Sequence, residues 1–449
     1  MGRKPKRRAL ALWANGQRVG LWLIPSRKEM SLQYDADWVQ SAAGRPLSLS
    51  LPFTIGNVPL RGARVLNYFD NLLPDSEPIR RRLASRFHTG STEAFELLQS
   101  IGRDCVGALQ LLPEDEQPLG FDQIEGVPLT DEAVAKHVLT MAATGTTIGR
   151  HDDGDDDFRI SIAGAHEKTA LLWHQNQWMR PLGATPTTHI LKLPLGMVGL
   201  DGQVDMSTSV ENEWLCSRVL HAYGLPVAHC EIADFGAQRV LVVERFDRRM
   251  HSSGTWWLRL PQEDFCQAGG LPSSQKYETD GGPGAQTITR ILQRSEAPAK
   301  DIEVFMSAMV LFWLLAATDG HAKNFSLQIQ AGGRYQLAPL YDVLSIWPVE
   351  GPGAHQFTIH KAKLAMAVLG KSKHYRIKEI QRRHFNHMAA LCGYGHDAER
   401  LMQGIIEKTP HVLAQVNGEL PKGFPAQVAE SILGHLEKAV QRLAAMPEI

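Results

Sequence analysis

Cysteine is scarce in this 449-residue chain and follows no pattern. The five present, Cys105, Cys216, Cys230, Cys266 and Cys392, form no Cys-x-x-Cys pair. That argues against a disulfide framework and a zinc site, and it fits a reducing compartment. A surplus of charge is missing too. Lys and Arg number 47 against 48 Asp and Glu, a net charge of −1. No overall field therefore steers the chain toward nucleic acid or a membrane. The longest apolar run, VFMSAMVLFWLLAA at 304–317, is too short to cross a bilayer and reads as a buried core helix. The basic N-terminus, MGRKPKRRALALWANG, has no apolar signal region and no small-residue cleavage site, so a cytoplasmic location with no membrane contact is expected. No G-x-S-x-G or H-E-x-x-H occurs. The acidic run HDDGDDD at 151–157 lacks the glycine position and terminal glutamate of a calcium loop. The 18 histidines show no ligand spacing, and there is no internal repeat.

What is present has the composition of a folded protein, 43% hydrophobic and 21% charged, with length for two or three domains. ALALWANGQRVGLWL at 9–23 predicts two strands around Asn15-Gly16, the dipeptide suited to a type I′ turn. LSLSLPF at 47–53 predicts a further strand. Helices follow, the first capped by Asp75 or Ser76 ahead of Pro78, the second over TEAFELLQSIG. The acidic, proline-bearing LPEDEQP at 112–118 suggests a boundary. TDEAVAKHVLTMAAT at 130–144 predicts a helix, RISIAGAHEKTALLW and THILKLP predict strands, and SVENEWLCSRVLHAYG predicts a helix closed by Gly224. RVLVVERF at 239–246 predicts a strand. From about residue 300 the pattern is helical, apart from a hairpin near 325–342. The last helix places Val428, Ile432, Leu436, Val440 and Leu443 on one face. Three units are expected: a mixed N-terminal block at 1–118, a β-rich lobe at 119–250 and an α-rich lobe at 251–449. A β-lobe on an α-lobe leaves a cleft between them.

The chemistry concentrates after the apolar helix, in LAATDGHAKNFS at 315–326. Protein kinases place a catalytic aspartate five residues before a metal-binding asparagine; Asp319 and Asn324 have that separation. The aspartate accepts the acceptor hydroxyl's proton and the amide oxygen takes a hard cation. FSLQIQ and RYQLAPLYD flank Ala331-Gly332-Gly333, a natural hairpin turn that returns Asp342 toward Asn324 as a second metal ligand. Its neighbours are Tyr341 and Val343, so this is not D-F-G. The spacing alone is common by chance; its place between an apolar helix and a hairpin ending in aspartate gives it weight.

The other half of such a site needs a phosphate loop and a cation. Ser161 to Lys168 lies between two strand-like runs, and its small residues would let backbone N–H groups approach phosphate oxygens. With one glycine it reads equally as an ordinary turn. Lys192 interrupts the apolar strand THILKLP, and a buried ammonium without a partner is costly. It either reaches solvent or meets an anion. Glu211 and Glu213 open the next helix; Glu213 is the favoured ion-pair candidate, although spacing does not separate the two. Glu244-Arg245-Phe246 offers a hinge for an adenine.

RPLSLSLP, YFDNLLPDS, IGRDCVGAL, DFRISIAGAHEKTAL, PTTHILKLP, VERFDRR, LRLPQEDFCQ, YETDGGPG and ATDGHAKNFS occur in order over nearly the whole chain. Together they resemble the HipA family of serine/threonine kinase toxins of bacterial toxin–antitoxin modules. The resemblance implies an α+β, two-lobed protein-kinase-like fold, with a β-rich N-lobe, an α-helical C-lobe and an extra N-terminal α/β subdomain. It implies ATP and Mg2+. It carries over Asp319 as catalytic base, and Asn324 and Asp342 as metal ligands. Ala163, Gly164, Ala165, His166, Glu167 and Lys168 fall on the phosphates with Lys192 beside them, and Glu244, Arg245 and Phe246 fall at the adenine. His321, Ala322, Lys323 and Tyr341 border the nucleotide. It marks Ser161 as an autophosphorylation site that shuts the enzyme off; a phosphate there would repel those of ATP. His166 is a departure, standing where another member of the family has glutamine. The implied partners are a dimeric helix-turn-helix antitoxin of HipB type, operator DNA bound through that complex, and an aminoacyl-tRNA synthetase as substrate, glutamyl-tRNA synthetase foremost. Phosphorylating one would halt translation and arrest growth. RIKEIQRRHF at 376–385 and RKPKRR at 3–8 are candidate DNA contacts, although for each the ordinary reading, a solvated charged face and a disordered tail, carries more weight. Two other functions compete: a small-molecule phosphotransferase with the same D-x-x-x-x-N logic, and a non-catalytic corepressor.

Overall fold

The computed structural model describes residues 8–24, 29–142, 168–199 and 204–448. The N-terminal hairpin forms as its turn dictates. Strands Arg8–Ala14 and Gln17–Ile24 pair antiparallel, with Asn15 and Gly16 at φ 48° and 77°, the left-handed pair of a type I′ turn. They centre a five-stranded sheet that runs Leu60–Arg61, Ser31–Tyr34, Gln17–Ile24, Arg8–Ala14, Gln110–Pro113. Strand alternation sorts the side chains. Leu10 and Leu12 enter a core with Trp22, Phe69, Phe95 and Ile101, while Ala11 and Trp13 join Leu112 in a smaller cluster. Helices Ala63–Asp70 and Ala94–Ile101 supply Phe69 and Phe95. Between them runs Glu77–Arg86, which starts at Ser76 with Pro78 in its first turn.

The expected strand at 47–53 does not form. Among the described residues its backbone pairs with no strand. Instead the hydroxyls of Ser48 and Ser50 donate to the Gln267 carbonyl at 3.1 and 2.7 Å, and the Leu49 N–H donates to Glu263 at 2.9 Å. The segment pins the N-terminal subdomain to the rest of the molecule.

A six-stranded antiparallel sheet follows, in the order Cys230–Phe235, Gln238–Glu244, His189–Lys192, Lys168–His174, Gln177–Pro181, Gly126–Pro128. Helix Asp131–Ala142 covers one face, where Val134 and Val138 meet Leu171, Leu191, Val240 and Val242. Helix Ser209–Ala222 covers the other and shares a core with Leu241 and Val243. Gly224, φ 93°, ends that helix. Alternation puts Leu191 on the first face and Lys192, opposite Leu241 in the ladder, on the second. The one lysine in that strand therefore points at the third unit.

That unit is built around the buried helix Pro298–Leu314. Strands Gln262–Asp264, Ser326–Ile329 and Tyr335–Leu337 form a sheet whose hairpin turns at Ala331–Gly333. A second hairpin, Lys363–Leu369 with Lys373–Arg376, stands where the sequence pattern read as helix. Its run KLAMAVL is buried at five central positions, and a short run buried all round carries no period to separate strand from helix. Helices Glu399–Gly418 and Ala426–Ala445 close the body, with Val428, Ile432, Leu436, Val440 and Leu443 all buried. Among the described residues no helix is long and apolar enough to cross a membrane.

Candidate active site

A cleft of ≈ 690 Å³ opens between the six-stranded sheet and the helical body, with Asn71 and Asp75 of the N-terminal subdomain in its wall. Two lysines lie side by side on its sheet wall, because Lys168 and Lys192 are directly opposed on neighbouring strands. Like charges in that register destabilise a sheet, so carboxylates are needed nearby. Lys192 Nζ donates to Glu213 Oε1 at 2.6 Å and to Asp342 Oδ1 at 2.8 Å. Burial opposes its charge, but Asp342 and Glu213 hold the ammonium above the usual lysine range. Glu211 pairs with Arg239 at 3.0 Å instead; two residues along a helix turn a side chain by about 200°. Burial pushes the Lys168 ammonium down to about 8, against the pull of Asp342.

Asp342 arrives as expected, at the end of the hairpin, and takes φ 60°, a left-handed conformation that aspartate tolerates better than most residues. The loop after helix Pro298–Leu314 is held from inside. Asn324 Nδ2 donates to the Asp319 carbonyl at 2.8 Å and to the Asp342 carbonyl at 3.5 Å, which ties the two acidic residues' backbones through one amide. Gly320 has no room for a side chain, since a Cβ would lie 2.6 Å from the Phe312 ring. Asp319 itself faces the cleft and accepts from the Tyr277 hydroxyl at 2.6 Å. His321 is buried, which pushes its imidazole below the usual histidine range, and its Nε2 lies 3.9 Å from Asp319 Oδ2.

Lys323 turns toward the N-terminal subdomain. Its Nζ donates to Asn71 Oδ1 at 2.7 Å and Asp264 Oδ2 at 2.8 Å. Lys276 meets Asp75 at 3.1 Å beside it. Ala322 packs in the core at 0% exposure and does not line the cleft. Tyr341 donates to the Lys323 carbonyl at 2.8 Å, and its ring sits 5.7 Å from that of Phe246. Glu244 and Phe246 line the cleft. Arg245 lines it as well, but its guanidinium is committed to Asp247 at 2.8 Å, Thr187 at 2.9 Å and the Cys105 carbonyl at 2.9 Å. These belong to a buried seam in which Asp104 also meets Arg248 at 2.9 Å and Arg259 at 3.1 Å.

The profile of the HipA-like C-terminal domain matches residues 160–415, and that of the HipA N-terminal domain matches 10–112. The putative kinase Y4mE of Sinorhizobium fredii is 34% identical over 342 residues, 75% of this chain and 77% of that protein. The chain belongs to the HipA family. The serine/threonine-protein kinase toxin HipA of Shewanella oneidensis is 28% identical over 334 residues, 70% of each chain. The Shewanella oneidensis structure of HipA with HipB and operator DNA superposes with a TM-score of 0.78, at 22% identity over 97% of both chains. The fold is therefore that of HipA, kinase-like and of mixed α and β, and the protein is a HipA-family kinase.

In this HipA-family kinase the motif residues sort into two groups. Lys168, Lys192, Glu213, Asp319, Asn324 and Asp342 converge on the cleft or its wall. Ser161, Ala163, Gly164, Ala165, His166 and Glu167 lie outside the described residues, as do 3–7 of the basic N-terminus and the acidic run at 151–157. Arg8 pairs with Glu96 at 2.6 Å, and Arg382 of the 376–385 stretch is buried against Glu399. Tyr277, Asp264, Asn71 and Asp75, not among the candidate site residues, touch Asp319 or Lys323 from segments far away in the chain. No local pattern announces such contacts.

Proposed function

We propose that this chain transfers the γ-phosphoryl group of ATP to a serine or threonine hydroxyl of a protein. The observation that carries the reading is the convergence of Lys168, Lys192, Asp319, Asn324 and Asp342 from separate segments on one cleft. The two ammoniums meet the phosphates. Glu213 keeps Lys192 charged and aimed. Glu244 to Phe246 and Tyr341 form the end that takes the adenine, with Phe246 and Tyr341 as its apolar wall. Residues 163–168 are the proposed phosphate contacts, and His321 and Lys323 border them. Asp319 accepts the proton of the attacking hydroxyl, as its exposed carboxylate allows.

The donor set fits magnesium. Asn324 commits its amide nitrogen to two carbonyls, leaving the oxygen as its acceptor, and Asp342 adds a carboxylate; both are hard oxygen ligands. When bound, magnesium neutralises charge on the transferring phosphates. Autophosphorylation at Ser161 would place a dianion beside them and shut the cleft to ATP.

On the wider scale we place the kinase in the cytoplasm, as the toxin of a toxin–antitoxin pair. The family and the HipB–DNA assembly of its structural relative support a HipB-like antitoxin dimer and operator DNA as partners. An aminoacyl-tRNA synthetase is the proposed substrate, and the domain limits 1–118, 119–250 and 251–449 are proposed with it. Labelled ATP incubated with a bacterial lysate tests the reaction. Label should enter protein with wild type and fall about 10³-fold with Asp319→Asn, the size of a lost general base. Label confined to small molecules would favour a small-molecule phosphotransferase. Growth arrest by Asp319→Ala as strong as by wild type would favour a non-catalytic corepressor.

A further inference from the structure

The loop that carries Tyr277 is braced on every side, and the bracing ends at Asp319. The Tyr277 carbonyl accepts from the N–H groups of Asp280 and Gly282, both at 3.0 Å. Gly281 takes φ 92°, and a Cβ on Gly282 would lie 2.1 Å from the Gln275 carbonyl oxygen. Only glycine fits that turn. Glu278 anchors the loop from below, accepting from the Ala367 N–H and the Lys373 ammonium, each at 2.7 Å. The Lys276 carbonyl accepts from the Ala322 N–H at 3.1 Å, so the same loop is bonded to the catalytic loop itself. The Tyr277 ring stands edge-on to His321, centroids 5.1 Å apart at 82°.

Asp319 is held in two parts. Asn324 fixes its backbone through the carbonyl, and the Tyr277 hydroxyl takes Oδ1 at 2.6 Å. The side chain is otherwise exposed to the cleft, 60% by area, where a lone carboxylate would sample several rotamers. Burial and the nearby Asp319 charge both push the phenol above its usual range, so it stays a donor at any working pH.

We propose that Tyr277 is a positioning residue for phosphoryl transfer: its hydroxyl fixes one carboxylate oxygen of Asp319 so that the other is presented to the acceptor hydroxyl. The proposal rests on the reading of Asp319 as the base. No bond to Tyr277 forms or breaks in the transfer, and the acceptor's proton goes to Asp319. Orientation of this kind acts on the chemical step and leaves the binding of ATP alone.

The test is Tyr277→Phe in the full chain, which keeps the ring and removes only the hydroxyl. Transfer from γ-labelled ATP to casein, a serine-rich acceptor, is measured at saturating ATP and magnesium, with KM for ATP taken from the same series. The expected result is a kcat lower by about 10- to 100-fold with KM for ATP unchanged within twofold. In an Asp319→Asn background, adding Tyr277→Phe should cost nothing further, because no charged carboxylate remains to be aimed. A purely structural tyrosine would lower activity in both backgrounds and raise KM. Unchanged kcat in Tyr277→Phe overturns the proposal, and a faster variant overturns it by showing that the phenol blocks the base. A wild-type chain that transfers nothing while binding ATP would instead sink the assignment of the reaction.

Discussion

The seam between the N-terminal subdomain and the six-stranded sheet buries three arginines and two aspartates; the sheet wall of the cleft sets Lys168 and Lys192 beside Glu213 and Asp342. In the seam, guanidinium nitrogens also end on backbone carbonyls. Arg248 donates to the Gly107 carbonyl at 2.8 Å and Arg259 to the Ala184 carbonyl at 2.9 Å. Burial opposes the charge of Asp104, yet Arg248, Arg259 and Arg245 hold it well below the usual carboxylate range. Forked, planar arginine suits such closed networks. The cleft uses lysine, a flexible point charge, and leaves one of the two poorly served: Lys192 is raised and Lys168 lowered. A charge cluster satisfied from within holds a fold together. One that, among the described residues, leaves an ammonium short of partners at a cavity wall is suited to an anion.

The comparison breaks most readily at Asp104. Asp104→Ala should leave three buried guanidiniums short of a carboxylate and cost about 3–5 kcal/mol. Urea denaturation of the unliganded protein measures it, and a cost under about 1 kcal/mol would mean that water reaches the seam. Glu213→Gln should show the reverse balance. Stability should fall by about 1 kcal/mol, since Asp342 still meets Lys192, while transfer drops roughly 10- to 100-fold because the lysine loses its aim. Paired melts and labelled-ATP assays separate the two effects.

Lys168→Met sharpens the contrast with a gain. The folded-state pKa of about 8 lies below that of an unfolded lysine. The unfolded chain therefore holds the extra proton between about pH 8 and pH 10.4, and stability rises with pH across that window. Below pH 8 the penalty is fully present. Removing the ammonium should stabilise the unliganded protein by about 1 kcal/mol at pH 7, less than the full shift because the side chain is only half-buried, and the gain should vanish near pH 10.4. Denaturant melts at both pH values check it.

These regions also differed in how far the sequence disclosed them. Lys192 stood out because an ammonium in an apolar strand demands a partner, and Asp319 and Asn324 because their spacing is fixed by a short loop. The Asn15-Gly16 turn was equally legible, being a matter of two residues' φ. Glu213 could not be told from Glu211 before the strands were in place, since the register of helix against sheet decides which carboxylate reaches Lys192. The seam was opaque for the same reason: Asp104, Arg245 to Arg248 and Arg259 come from three segments that only tertiary packing unites. The alternation at 47–53 misled because Ser48, Leu49 and Ser50 bond to Gln267 and Glu263, contacts that only tertiary packing supplies. Arg245 lay in a motif read as a hinge, and no neighbouring residue signals that its side chain turns into the seam.

Calorimetric titration of the full chain with ATP and magnesium, in wild type and Lys192→Met, is the most direct test of the cleft as a phosphate site. The account predicts one site in wild type and an affinity at least about tenfold weaker in the variant, the worth of one charge-assisted contact to phosphate. Equal affinity in the two proteins, or no binding to wild type, would contradict it.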